Sequence, residues 1–398
     1  MAPRFLPGNR LTLLRSGVEY FPALEAAIGE AKREVFLETY IFEGDDTGKR
    51  IARALCDAAR RGAAVRVLVD GFGSKDMPEA LQNELLDAGV RLLVFRPEIW
   101  RARFRRDRLR RLHRKLAVAD ARVAFVGGIN IIDDMHTPRQ VPPRYDYAVR
   151  IQGPLLGPIQ DSAVRAWNWV ARVNLEHAWR VSHPIRPGLA RTGGHSIPHH
   201  ASRPGGQRAA LVVRDNVRHR RDIEEAYLAA IRSAKEEIVI ANAYFFPGIR
   251  FRRALAAAAA RGVRVVLLLQ GRVEYVLLHY ASRALYGTLL EAGVQIYEYH
   301  RSFMHAKVAV IDEHWATVGS SNIDPFSLLL AREANIVVED RAFAAELRRR
   351  LREDMEKGAR VVAKTRWIKK PLWRRIPIWI GYGLARFTIG MFGLGGRF

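Results

Sequence analysis

Residues 58–71 read A-A-R-R-G-A-A-V-R-V-L-V-D-G, and residues 258–271 read A-A-A-R-G-V-R-V-V-L-L-L-Q-G. Each stretch joins the end of a helix, a glycine stop and a strand. In the first copy Ile51, Ala54, Leu55 and Ala58 recur at helical spacing, so residues 48–61 are expected to form a one-faced helix that Gly62 closes. Val65 to Val69 is a short β-branched run, the pattern of a strand covered on both faces. The echo continues outward in the same order. Ala27–Val35 (A-I-G-E-A-K-R-E-V) matches Ala230–Ile238 (A-I-R-S-A-K-E-E-I), Tyr40-Ile41-Phe42 matches Tyr244-Phe245-Phe246, and L-L-D-A-G-V at 85–90 matches L-L-E-A-G-V at 289–294. A separation of about 200 residues is too long for a solenoid repeat and marks a duplicated domain. Alternating helix and strand within each copy predicts an α/β fold of two α-β-α sandwich lobes, each a mixed β-sheet flanked by helices.

The expected boundaries are a first lobe at 1–180, a linker at 181–208, a second lobe at 209–360 and a tail at 361–398. Pro184, Pro187, Pro198 and Pro204 mark the linker. Its His195, His199 and His200 have no acid or cysteine close by, so a solvated loop explains them better than a metal site.

Composition narrows the function. Of 398 residues, 49% are hydrophobic and 27% charged, which excludes a disordered chain. A single cysteine, Cys56, excludes intrachain disulfides and thiolate zinc clusters. The first thirty residues carry Arg4, Arg10, Arg15, Glu19 and Glu25 without a long apolar core, so no secretory signal is expected. No uncharged apolar run approaches the ~20 residues that span a bilayer. With 65 basic against 41 acidic residues the net charge is +24, which suits a polyanionic partner, either nucleic acid or an anionic membrane.

Both copies end in one constellation. The first is His113, Lys115, Asp120, Gly127-Gly128 and Asn130; the second is His305, Lys307, Asp312, Gly319-Ser320 and Asn322, at identical spacing. On a strand, residues two apart share a face, so His and Lys project together while Leu116 and Val118, or Val308 and Val310, pack behind. Asp120 and Asp312 sit at turn-like breaks, and their expected roles are turn and salt-bridge residues. The small pair permits close approach of backbone and ligand. Two imidazoles, two ammonium groups and two amides suit a phosphodiester: one histidine attacks phosphorus, the other protonates the leaving oxygen, and lysines and asparagines hold the phosphoryl oxygens.

The duplicated H-x-K-x4-D-x6-G-[GS]-x-N resembles the phospholipase D superfamily over nearly the whole chain. E-T-Y-I-F-E-G-D-D-T-G, V-D-G-F-G-S, R-R-L-H-R-K and Y-D-Y-A-V-R-I-Q-G-P narrow the resemblance to the bacterial cardiolipin synthases, of the shorter type without an N-terminal transmembrane pair. That resemblance implies two lobes related by a pseudo-twofold axis with the site at their interface. It also implies ping-pong phosphatidyl transfer through a phosphohistidine, with no metal and no other cofactor. It makes His113 the nucleophile and His305 the general acid, counts Lys115, Asp120, Lys307 and Asp312 in the catalytic motif, and gives Lys115, Lys307, Asn130 and Asn322 to phosphate. A carboxylate on the second imidazole nitrogen is also needed. Glu333 supplies one. Asp146 is its counterpart, with Asp133 and Asp134 as alternatives, and Ser327 matches a serine that the family carries near the site.

The basic run Arg101–Lys115 is read as an electropositive rim beside the cleft. From Lys357 to Phe398 there is no acidic residue, and Lys369, Lys370, Arg374, Arg375 and Arg386 alternate with Trp367, Trp373, Trp379, Tyr382, Phe387 and Phe392. This mixture suits an interfacial segment on an anionic phospholipid membrane, at about 1 kcal/mol per basic residue. The expected location is peripheral or monotopic, at the cytoplasmic face of the bacterial inner membrane. The expected substrates are phosphatidylglycerol, with phosphatidylethanolamine as an alternative donor. Hydrolysis is the second outcome of the same chemistry. Nucleic acid is disfavoured, because nuclease duty gives no reason for an acid-free tail rich in tryptophan.

Overall fold

A computed structural model of the chain describes residues 3–96, 110–135, 141–178, 206–215, 218–273, 276–325, 327, 330–368, 379–384 and 387. The linker histidines, residues 101–109 of the basic run, and Lys369, Lys370, Trp373, Arg374, Arg375, Arg386 and Phe392 of the tail lie outside the described residues.

The first lobe runs β1 (Leu6–Arg15), α1 (Ser16–Glu30), β2 (Glu34–Thr39), α2 (Asp46–Arg60), β3 (Ala64–Asp70), α3 (Glu79–Asp87), β4 (Arg91–Phe95), β5 (Lys115–Ala119), β6 (Val123–Gly127), β7 (Arg144–Tyr145), β8 (Tyr147–Gln152) and α4 (Leu156–Ala178). The second opens with β9 (Gln207–Arg214), α5 (Asp222–Ser233), β10 (Glu237–Asn242), α6 (Ile249–Ala260), β11 (Arg264–Gln270), α7 (Val276–Ala284), α8 (Tyr286–Glu291) and β12 (Gln295–Tyr299). It ends with β13 (Phe303–Met304), β14 (Lys307–Ile311), β15 (Trp315–Gly319), β16 (Glu333–Glu339), α9 (Arg341–Gly358), β17 (Ala359–Val361) and α10 (Lys364–Ile368). Helix α2 starts where Asp45 accepts the Gly48 N–H at 2.8 Å and stops at Gly62, whose φ of +94° suits only glycine.

In each lobe three parallel strands (β2-β3-β4 or β10-β11-β12) continue into an antiparallel hairpin, β5-β6 or β14-β15. The two sheets are not separate. β1 pairs with β9 across the lobes, which makes one hydrogen-bonded sheet of 15 strands. Helices α1–α3 cover one outer face through a core that includes Phe21, Leu55 and Leu85, and α5–α8 cover the other through Tyr227, Leu255 and Leu289. The inner faces of both sheets meet in a third core together with Trp167 of α4 and Leu347 of α9. Burying that shared apolar surface, at roughly 25 cal/mol per Å², locks the lobes together.

One detail of the repeat shifts. Phe42 bridges Ile131, and Phe245 bridges Ile323. Tyr40 is therefore the structural counterpart of Ala243, one residue before the tyrosine that the sequence match pairs with it.

Candidate active site

Both motif histidines stand just before a hairpin strand, and a backbone bridge to the other lobe sets each one. Leu112 pairs with Arg332, the His113 N–H donates to the Arg332 carbonyl at 2.9 Å, and the Arg332 N–H donates to the Arg111 carbonyl at 2.7 Å. On the opposite side Met304 pairs with Tyr145 in the β7–β13 ribbon, and the His305 N–H donates to the Tyr145 carbonyl at 2.7 Å. The residues following Arg332 and Tyr145 are Glu333 and Asp146. The carboxylates therefore pair crosswise. Glu333 of the second lobe holds His113 Nδ1 at 2.9 and 3.1 Å, and Asp146 of the first lobe holds His305 Nδ1 at 2.8 Å. With both Nδ1 atoms engaged, each Nε2 is left for chemistry.

The lysines lie beneath the histidines. Lys115 donates to the His113 carbonyl at 2.8 Å and stands 5.3 Å from the centroid of the Tyr40 ring, which packs edge-on against His113. Lys307 is 0% exposed, donates to the His305 carbonyl and comes within 3.6 Å of Asp146. Burial pushes Lys115 down to about 7, with Lys307 adding repulsion, and pushes Asp146 up to about 6. Burial also lowers both imidazoles. At His113 the Glu333 charge opposes the shift, whereas at His305 the charges of Lys307, Lys115 and Arg144 deepen it. At neutral pH the free site thus holds two neutral imidazoles and a Lys115 that is only partly charged, an arrangement that an anionic ligand would recharge.

The other sequence-predicted residues divide. Asn130 and Asn322 are buried at the ends of the two hairpins, and Asn130 Oδ1 accepts the Ile41 N–H at 3.1 Å. Asp120 and Asp312 do not reach the site. They close the far ends of β5 and β14, about 16 Å along the strand from the lysines. Neither makes the expected salt bridge among the described residues. Asp120 instead accepts the N–H groups of Lys32, Arg33 and Glu34, and Asp312 those of Lys235, Glu236 and Glu237. Burial works against the Asp312 charge, but those donors outweigh it and hold its carboxyl below the ordinary range. The expected turn is present: Asp120-Ala121 and Asp312-Glu313 all have φ near +50°.

Asp133 and Asp134 are also elsewhere. The Asp133 carboxylate accepts the Met135 N–H at 2.9 Å, and Asp134 takes the Gly17 N–H. Ser327 is buried, with helical backbone, a few residues after Asn322, and its N–H donates to Asp324 at 3.0 Å. The small pair serves the protein backbone: a Cβ at Gly127 would lie 2.4 Å from the Tyr147 carbonyl, and one at Gly128 would lie 2.4 Å from the Asp146 carboxylate. Ser320 takes the Gly128 position in the second lobe, and its hydroxyl donates to Glu333.

Sequence reasoning missed Asp70, Asn242 and the Arg114–Glu38 pair. Asp70, 0% exposed, accepts the Leu112 N–H at 2.8 Å and so braces the residue before His113. Arg114 lies behind the strand against Glu38 at 2.7 Å and Ser162 at 3.0 Å. A charged residue in an otherwise apolar strand position, as at Glu38, was the available signal. Among the described residues no group of three or more His, Cys, Asp or Glu side chains is arranged to hold a metal ion.

Two duplicated lobes that converge histidine, lysine and acid on one cleft define a phospholipase D-type site. A family model described as "Cardiolipin synthase, PLD-like domain" matches residues 24–151 and 227–355. "Cardiolipin synthase B" of Escherichia coli (strain K12) is 40% identical over 375 residues, covering 92% of this chain and 85% of the relative. "Major cardiolipin synthase ClsA" of Bacillus subtilis is 30% identical, covering 94% and 74%. The chain belongs to the cardiolipin synthase family of the phospholipase D superfamily. Among solved structures, the phosphatidylserine synthase of Haemophilus influenzae Rd KW20 shares the fold, with a TM-score of 0.68 at 15% identity over 98% of this chain and 96% of that one.

Proposed function

We propose that this chain is a phosphatidyltransferase that makes cardiolipin from phosphatidylglycerol through a phosphohistidine. The crosswise pairing of two imidazoles with two carboxylates over one cleft carries this reading. His113 is assigned as nucleophile because both oxygens of Glu333 lie within hydrogen-bond distance of its Nδ1 and no other cation shares that carboxylate at ion-pair distance among the described residues, whereas Lys307 shares Asp146 with His305. His113 Nε2 attacks phosphorus, and the bond from phosphorus to the headgroup oxygen breaks. The bound phosphodiester anion draws a proton onto His305 Nε2, and His305 gives that proton to the leaving oxygen as glycerol departs. In the second step His305 takes the proton from the hydroxyl of another phosphatidylglycerol. That oxygen attacks phosphorus, the P–N bond breaks, and His113 is restored. With phosphatidylethanolamine as donor, ethanolamine leaves instead. Lys115, Lys307, Asn130 and Asn322 are assigned to the phosphoryl oxygens.

The protein is assigned to the surface of an anionic bilayer. Among the described residues no helix is long and apolar enough to cross a membrane. Several large apolar residues are exposed. Phe72 follows Asp70, Val276 opens α7, and Trp379 is 62% exposed beside Tyr382, whose ring packs on Phe246. With a net charge of +24, such exposed apolar residues suit a surface of acidic headgroups above acyl chains.

Lipid mass spectrometry after incubation with phosphatidylglycerol vesicles tests the reaction. Cardiolipin plus glycerol, absent with His113→Ala, is the expected result. Phosphatidic acid as the sole product would make the enzyme a hydrolase and overturn the transferase reading.

A further inference from the structure

We infer that Asn242 binds a phosphoryl oxygen in the second half of the site, a contact that the first half lacks. The inference rests on the site taking a phosphodiester. Asn242 ends β10 directly opposite Lys307 in an antiparallel pair, so the two side chains share one face of the sheet about 5 Å apart at Cβ. Asn242 is 0% exposed. Its Oδ1 accepts the Ile323 N–H at 3.2 Å, which fixes the orientation of the amide. Nδ2 then finds no hydrogen-bond partner among the described residues, and neither does Oδ1 of the adjacent Asn322.

Native proteins seldom leave a buried amide donor idle, because its lost hydration is not replaced. Here the idle donor lies beside a buried ammonium group, in a cleft with a second one. An oxygen carrying negative charge would accept from the Asn242 amide and be attracted by both ammonium groups.

The first lobe shows what the alternative looks like. Thr39 occupies the position of Asn242, and its hydroxyl donates to the Ile41 carbonyl at 2.8 Å. Asn130 Oδ1 is used by the Ile41 N–H. The Tyr40 ring fills the space against His113 and Lys115, where the second lobe has Ala243. The first half is therefore internally satisfied, and the second keeps an unused donor. Phosphate is predicted to seat against Lys307, Asn322 and Asn242, with its open side toward His113.

The test is binding of inorganic phosphate to the full-length protein, followed by 31P NMR titration, beside a melting curve for each variant. Asn242→Ala should weaken phosphate binding about tenfold or more, the size of one hydrogen bond to a charged group. Should Asn242→Ala fail to fold, Asn242→Asp keeps the acceptor for Ile323 and replaces the donor with a repelling oxygen, so it should fold and lose phosphate. Binding within twofold of the wild type in either folded variant would overturn the inference. Phosphate binding is read without turnover. A different lipid product would therefore sink the proposed reaction and leave this result standing.

Discussion

The two halves of the cleft come from one repeated sequence, yet they are built differently. The half around His113 is braced. Tyr40 packs on the imidazole, Asp70 holds the preceding backbone, a buried Arg114–Glu38 pair lies behind, and Ser320 reaches over to steady Glu333. The half around His305 has supports of a different kind: Gln270 donates to the Met304 carbonyl at 3.2 Å, and Phe303 stacks on the imidazole. Ala306 and Ala241 replace the buried ion pair, Gly128 leaves room for Asp146, and that carboxylate is divided between His305 and Lys307. Duplication supplied two equivalent frames, and the proposed mechanism gives them unequal tasks: a nucleophile that must stay oriented while it bears charge, and an acid that must give up its proton.

The largest effect should come from the histidines. His113→Ala and His305→Ala should each lower turnover by about 10⁴-fold or more. Rapid-quench assays would break the comparison if either variant kept substantial activity.

The carboxylates should be less severe and unequal. Glu333→Gln should cost about 10³-fold in kcat, because the carboxylate that orients His113 is lost. Asp146→Asn should cost less, since Lys307 is freed to hold the phosphate. Combining Glu333→Gln with His113→Ala should add almost nothing, and full additivity in that double-mutant cycle would contradict the cross-lobe pairing.

Arg114→Met should destabilise the protein by about 3 kcal/mol, because it strands a buried carboxylate. Denaturant titration reads this directly. Burial already raises the Glu38 carboxyl despite Arg114, so adding Glu38→Leu should recover much of the loss.

The smallest effect concerns pH. Lys115, lowered to about 7, loses its charge as pH rises through that value, and both imidazoles are already neutral there. Hence kcat/KM should decline several-fold from pH 7 to 8, and a flat profile would show that Lys115 stays charged.

Much of this was readable in the chain. The order of the repeated segments carries the two-lobe α/β fold, and the spacing from His113 to Asn130 and from His305 to Asn322 carries the core of the site. The crosswise pairing was not readable, because Leu112–Arg332 and the β7–β13 ribbon are bridges between lobes with no periodicity of their own. Asp120 and Asp312 show the limit of a motif. Their spacing is invariant between the copies because three N–H groups must be gathered at a turn, so repetition marks a structural need there. Asn242 carries no motif at all. Its one hint is a poor strand former at the end of a buried strand.

The covalent step is the most direct test. Acid-free quenching during turnover of phosphatidylglycerol, then peptide mass spectrometry, should find a phosphatidyl group on the peptide containing His113. Release of glycerol with label on neither histidine would contradict the account.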